Sequence, residues 1–266
     1  MKLPEKRPFL RMVAAVVLWL LCLPLTAAPP VQEGRIIPAD PVAAGRELVA
    51  RLLSQRPAAS ATNLAVLRWK QGRNKFEVPV CIETQAGKTS WSTTYRTQGT
   101  NKDHAAEFTV KHTENGPNEY RVMVFSRAPG ATNEIEILKG QQAFIPFAGS
   151  DYWLADLGME FLHWPTQRLL RKEIRRTQSC DILESVLPPG QTNAYVRVES
   201  CFDIDTGGPV LITAYNAAGK KVKVFRPTVF RRVRGKLEPA VIIMEDRRAD
   251  SETVLDLQPD KPMQKK

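Results

Sequence analysis

The groups in this 266-residue chain whose types could do acid–base or nucleophilic chemistry are His104, His112 and His163, and the pair Ser150-Asp151 lying just ahead of Asp156. His104 and His112 sit eight residues apart on a predicted strand pair, and His163 is remote from both. Three scattered histidines lack the close spacing of metal ligands and read as ordinary surface or core residues. Ser150 has carboxylates nearby, but the sequence positions no histidine to activate it. Capping a helix accounts for both Ser150 and Asp151. There is no Gly-x-Ser-x-Gly, His-Glu-x-x-His or phosphate loop. No catalytic residue, metal or cofactor is therefore expected, and a hydrolase has little support.

The cysteines carry more information. Of the four, Cys22 lies in an apolar leader, leaving Cys81, Cys180 and Cys201. The turn Leu187-Pro188-Pro189-Gly190-Gln191-Thr192-Asn193 separates two strand-like segments. Folding the chain about residues 190 and 191 sets Cys180 opposite Cys201, Glu184 beside Arg197 and Leu183 beside Val198. Cross-strand neighbours lie near disulfide range, so a Cys180–Cys201 disulfide is predicted, with Cys81 a buried free thiol. The competing arrangement is two unpaired thiols on one apolar face.

A disulfide needs an oxidising compartment, and the amino terminus supplies a route to one. Lys2, Lys6, Arg7 and Arg11 precede an apolar run from Met12 to Leu25, followed by Thr26-Ala27-Ala28, the order of a secretory signal peptide. The run is shorter than the roughly twenty residues that span a bilayer. Trp19-Leu20-Leu21 ahead of Cys22 lacks the small residue usual before a lipid-modified cysteine, so a soluble exported form is expected over a lipid-anchored one. Removing residues 1–28 takes away four positive charges and one negative, and the formal charge falls from +10 to +7. Export argues against nucleic acid as the partner of this basic chain. Anionic lipid head groups or an acidic protein fit the compartment better, and the charge also serves solubility.

These residues must be held by a mostly β scaffold. Asp40 and Pro41 open a predicted first helix, with Asp40 as N-cap and Pro41 at the first helical position, and Pro57 closes it. From Leu64 the period becomes two: Leu64–Trp69, Lys75–Thr84, Thr89–Thr97, Ala106–Thr113, Tyr120–Ser126 and Ile135–Leu138 read as strands separated by turns. The pattern resumes in Gln178–Val186, Ala194–Ile204, Pro209–Tyr215, Lys221–Phe225, Ala240–Asp246 and Thr253–Leu257. About eleven or twelve such strands in sequence imply an antiparallel sheet curved enough to close wholly or partly on itself. Between the two sets, Asp151 to Trp164 reads as a helix capped by Asp151 and ended by Pro165, with Leu154, Leu157, Phe161 and Trp164 at helical spacing. Being apolar on most sides, it belongs over or inside the curved sheet. Gln167 to Arg176 carries five positive charges in ten residues and reads as a solvated face; Arg226, Arg231, Arg232 and Arg234 form a second basic cluster.

Ser150-Asp151-Tyr152-x-x-x-Asp156-Leu157 is similar to the Ser-Asp-Phe-x-x-x-Asp-Leu signature of outer-membrane lipoprotein-sorting (LolA-like) proteins. Further along, Cys180-Asp181-Ile182-Leu183-Glu184, Phe202-Asp203-Ile204-Asp205 with Pro209-Val210, the Gly219-Lys220 turn and Arg234-Gly235-Lys236-Leu237-Glu238-Pro239 resemble later elements of that family in the same order. Trp153 and Leu154 depart from it, standing where the family has small or polar residues. The resemblance implies a half-open antiparallel β-barrel with an N-terminal helix and a helical lid, mainly β in class, and an apolar cavity for the acyl chains of a lipid or lipoprotein. Its domain would run from 42 to 258, after a signal peptide (1–28) and a proline-rich linker (29–41) and before a disordered tail (259–266).

An acyl chain carried through water needs a dry groove, with each buried methylene contributing about 0.8 kcal/mol. Trp69, Phe76, Trp91, Tyr95, Phe108, Val122 and Val124, with Trp153, Leu154, Leu157, Phe161 and Trp164 of the predicted lid, are the candidate lining. The same residues would equally fill a closed core. The chain thus reads as a monomeric periplasmic carrier or binding protein, not an enzyme, that touches the membrane transiently, with inner- and outer-membrane sorting components as candidate partners. The alternative is a periplasmic protein-interaction module, a sensor or assembly factor, that binds through the lid and basic rim.

Overall fold

The computed structural model describes residues 37–98, 106–114, 116–124, 133–175, 178–190, 194–233 and 236–257, all within one compact unit, Glu33–Lys266. The predicted signal segment with Cys22, the first part of the proline-rich stretch, His104, Arg176, Arg234, residues 191–193 and the tail lie outside the described residues.

A helix, α1 (Pro41–Leu53), comes first. Asp40 caps it as its side chain predicts: Oδ1 accepts from the N–H of Val42 and of Ala43, both at 3.0 Å. Gly45, Leu48, Val49 and Leu52 form its buried face. Six strands follow, β1 (Ala61–Gln71), β2 (Asn74–Gln85), β3 (Ser90–Thr97), β4 (Glu107–Thr113), β5 (Glu119–Val124) and β6 (Glu134–Leu138). A connector, residues 139–165, contains the short helix α2 (Leu154–Leu157) and 3-10 turns at Gly140–Ala143 and Glu160–His163. Seven more strands complete the chain: β7 (Thr166–Arg175), β8 (Gln178–Val186), β9 (Arg197–Asp203), β10 (Pro209–Tyr215), β11 (Lys221–Val233), β12 (Lys236–Asp246) and β13 (Ser251–Leu257).

The strands make one antiparallel sheet in the order β6-β5-β4-β3-β2-β1-β13-β12-β11-β10-β9-β8-β7. Each strand pairs with its sequence neighbour except at one seam, where β1 meets β13 with Leu67 opposite Leu255. The barrel is therefore half open, with β6 and β7 as its edges and the connector running from one edge to the other. Alternation holds along most strands: Ala65, Leu67 and Trp69 face inward from β1, as do Val78, Val80 and Ile82 from β2. The interior divides into two apolar clusters, one walled by β1–β5, β12 and β13, the other by α1 and β7–β11.

Three expectations need correction. Thirteen strands are present among the described residues, one more than the twelve segments read from the sequence. The unforeseen strand is β7, hidden in the basic run, where Gln167 and Leu169 point inward while Arg168, Arg171 and Lys172 lie against carboxylates of β8 and β9. Arg168 Nε is 2.8 Å from Glu184 Oε2, and Arg171 and Lys172 lie 3.6 and 3.7 Å from Glu199 and Asp181. β11 also continues past Phe225 to Val233, carrying Arg226, Arg231 and Arg232 on a strand.

Second, the predicted lid helix is broken. Met159 adopts a left-handed backbone (φ 48°) between α2 and the 3-10 turn, and Asp151 does not cap it. Third, the Cys180–Cys201 disulfide forms, with Cα atoms 5.5 Å apart, but the hairpin register is shifted by two residues. Cys201 faces Ile182, Glu184 faces Glu199, and the disulfide runs diagonally. A two-residue slip keeps every side chain on its face, which is why the pairing survived it. Arg197 still reaches Glu184, at 3.5 Å, along the same diagonal. Cys81 is buried and free.

Candidate functional site

The connector threads the barrel interior and is held there by polar side chains. Its first half is a tight loop: Phe147 N–H donates to the Tyr152 carbonyl at 2.7 Å, and Ser150 Oγ donates to the Phe147 carbonyl at 2.7 Å. Ala148 and Gly149 both have positive φ, at 54° and 76°. This turn aims Asp151 at β13, where its carboxylate accepts from Ser251 Oγ (2.6 Å) and Thr253 Oγ1 (2.8 Å). Tyr152, 1% exposed, donates to the Ile242 carbonyl of β12 at 3.0 Å. Asp151 and Tyr152 thus tie the connector to the wall, and Ser150 closes its turn, instead of starting a helix.

Asp156 takes up the capping role on α2, its Oδ2 accepting from Trp153 N–H at 2.9 Å. It also accepts from Tyr195 O–H at 2.7 Å and from the Lys223 ammonium of β11. Lys223 is 2% exposed, and its Nζ lies 3.9 Å from the centre of the Trp153 ring. Burial lowers the Lys223 pKa, with Asp156 pulling the other way. Arg248, clamped to Asp246, also lies over Trp153, at 4.8 Å. Deeper in, Glu160 accepts from Tyr120 O–H at 2.6 Å. Burial raises the Glu160 carboxyl, and burial together with Glu160 raises the Tyr120 phenol. Asn118 completes this group, donating to the Gly158 carbonyl at 2.8 Å.

Around these hooks the surfaces are apolar. Trp69, Phe108 and Leu154 belong to the first cluster, with Phe76, Tyr95, Val122 and Leu157 packed on it; Trp153, Phe161 and Trp164 belong to the second. Tyr95 stacks on Phe108 at 5.6 Å, and burial pushes its phenol up to about 12. Trp91 is in neither cluster and stacks on His112 at 4.9 Å. His112 is pushed down to about 4 by burial, which the nearby Asn118 partly offsets. His163 is also lowered by burial, and its Nε2 finds no hydrogen-bond partner among the described residues.

The sequence singled out the apolar lining and Asp156 but not Lys223, Tyr195, Tyr120 or Glu160. Lys223 was hidden by a bulge: Ala214 faces Lys223 while Tyr215 faces Lys221, so both Val222 and Lys223 are buried and simple alternation fails. The available signal was Asp156 itself, a carboxylate in a segment apolar enough to be buried, which requires a cation.

With the connector in place the cleft beside Asp156 is nearly filled. The cleft between Asp156, Phe161, Tyr195, Lys223 and Met244 has about 20 Å³ of free volume, the room of one water and far below the roughly 300–1,000 Å³ of ligand pockets. A larger groove, about 530 Å³, opens at the rim beside Trp69 and Phe76 and reaches Ser251, one of the residues that hold Asp151. Among the described residues no group of His, Cys, Asp and Glu could hold a metal ion.

A family model described as an uncharacterized protein matches residues 129–263, half of the chain. No curated protein matches. Solved structures do. A DUF1329 family protein from Desulfovibrio piger is similar at TM-score 0.66 and 17% identity over 82% of this chain and 92% of its own. A putative outer membrane lipoprotein-sorting protein domain from Vibrio parahaemolyticus reaches TM-score 0.66 at 13% identity, covering 84% and 95%. A LolA superfamily protein from Nitrosomonas europaea reaches 0.54 at 17% identity, covering 84% and 96%. At these identities the likeness is one of fold.

Proposed function

The chain belongs to the family described as an uncharacterized protein, and we propose that it is a periplasmic lipid or lipoprotein carrier, or a binding protein of that kind, built on the LolA-superfamily fold. One observation carries the reading: the apolar interior is occupied by a segment of irregular backbone fastened through polar hooks, and one hook borders the rim groove. A core meant to stay closed is best filled by well-packed apolar side chains, whereas a polar-tethered filler can be exchanged for a ligand. In this reading an acyl chain enters beside Trp69 and Phe76, the Asp151 hook releases, and the connector gives up its place against Tyr95 and Phe108. Each methylene that enters contributes about 0.8 kcal/mol toward breaking the hooks. The disulfide fits an exported, oxidising compartment.

A second reading, a protein-interaction module on the same scaffold, is favoured by the tightly filled cleft beside Asp156. Native mass spectrometry of the mature chain purified from a periplasmic extract separates the two. A stoichiometric lipid or acylated peptide is the result expected of the carrier. A chain that stays empty after incubation with phospholipid and with acylated peptide rejects the carrier in favour of the interaction module.

A further inference from the structure

β6 is patterned inside out. Leu138 is buried against the interior, so alternation puts Glu134 and Glu136 on that same inward side and Ile135 and Ile137 on the outward side. Yet the isoleucines are 65% and 52% exposed, and both glutamates are exposed as well, with no ion pair to a described residue. Ile135 lies opposite Met123 and Ile137 opposite Arg121 of β5. Their face continues into a groove of about 310 Å³ lined by Ser92, Thr94, Thr109, Arg121, Met123 and Ile135, among others.

β6 is also an edge strand whose far side makes no backbone hydrogen bond among the described residues. The other edge, β7, is different: α1 packs on it so closely that a Cβ on Gly45 would lie 2.7 Å from Arg168 Cα. An open edge of β-favouring residues is a template for an added strand.

We infer that β6 docks an extended segment of a partner protein in which basic and apolar residues alternate, the basic ones beside Glu134 and Glu136, the apolar ones beside Ile135 and Ile137. The edge backbone supplies hydrogen bonds, and cross-strand pairing supplies selection. A second copy of this chain is the wrong occupant. Antiparallel self-pairing centred on Glu134, Ile135 or Glu136 sets glutamate against glutamate, and like charges directly opposite are destabilising; centred on Ile137 it sets Glu136 against Leu138. The same carboxylates that repel a second copy therefore select a basic strand. The site is separate from the barrel interior and does not depend on lipid binding.

The test uses the full mature chain and a capped ten-residue peptide of alternating lysine and valine, followed by fluorescence anisotropy at physiological salt. The chain's net positive charge opposes this peptide at long range, so binding reports a local site. Binding at least tenfold tighter than that of the glutamate–valine counterpart is expected, with an at least tenfold loss when alternate peptide nitrogens are methylated. A Glu134→Lys, Glu136→Lys double variant, checked for folding by circular dichroism, should reverse the order of the two peptides. Hydrogen exchange of the wild-type complex should show new protection at residues 134–138. Equal binding of the N-methylated peptide, protection confined to other strands, or no binding of the lysine–valine peptide overturns the assignment.

Discussion

Lys223 and Asp156 form a buried charged pair enclosed by Trp153 and Tyr195. Removing one partner of a buried pair leaves the other charged and unpaired, at a cost of about 3–5 kcal/mol. Lys223→Ala should therefore lower urea stability by about that much, and the Asp156→Ala, Lys223→Ala double variant should lose clearly less than the sum of the singles. Additive losses would show that the two do not act as a pair. His112 gives a second prediction at this scale. Its folded-state value of about 4 lies below the ordinary 6.5, so its contribution is complete above about pH 6.5 and is lost as pH falls through 4. A His112→Phe variant, which retains an aromatic ring beside Trp91, should lose less stability than wild type between pH 7 and 4, by at most about 3 kcal/mol. Parallel pH profiles would place the acid sensitivity elsewhere. Glu160 runs the opposite way, since its raised carboxyl favours the folded state as pH falls from its folded toward its unfolded value. None of these roles was read from the sequence, because a residue's depth depends on strands far away in the chain.

At the scale of elements the sequence was legible wherever one local rule acted alone. Asp40-Pro41 marks the start of α1, and alternation marks most of the other strands. β7 was missed because an ion-paired outward face gives the same residue types as a solvated charge run. Its inward Gln167 also breaks the apolar alternation, donating instead to the carbonyls of Phe161 and Trp164 at 2.9 and 2.8 Å. The connector misled for a related reason: apolar residues at helical spacing also suit a segment surrounded by core on several sides, and only the strain at Met159 marks the break. The disulfide was legible because the hairpin's symmetry limited the partners, and a slip of two residues could not move either cysteine off its face. It closes a separation of 21 residues, and the Cys180→Ser, Cys201→Ser double variant should lose about 2–4 kcal/mol while keeping the β-sheet signal. An unchanged denaturation midpoint would show that the packing of Ile182 and Val210 around the disulfide, rather than the covalent link, holds this hairpin.

For the whole molecule, the proposed carrier role turns on whether the connector leaves the interior to admit an acyl chain. The strands close a continuous wall except between β6 and β7, and the connector joins those two edges, so it can withdraw without breaking any strand pairing. Asp151 is the hook nearest the rim groove, bonded to Ser251 at 2.6 Å. A disulfide between Asp151→Cys and Ser251→Cys, made in a Cys81→Ala background, should therefore fasten the connector at its exit without filling the groove. If the interior is the acyl site, the oxidised variant should bind a fluorescent fatty acid at least tenfold more weakly than the Cys81→Ala parent, and mild reduction should restore binding. The parent carried through the same treatment controls for any reduction of Cys180–Cys201. Equal binding by the oxidised and reduced forms would place the acyl chain in the rim groove instead, leaving the connector a permanent part of the core.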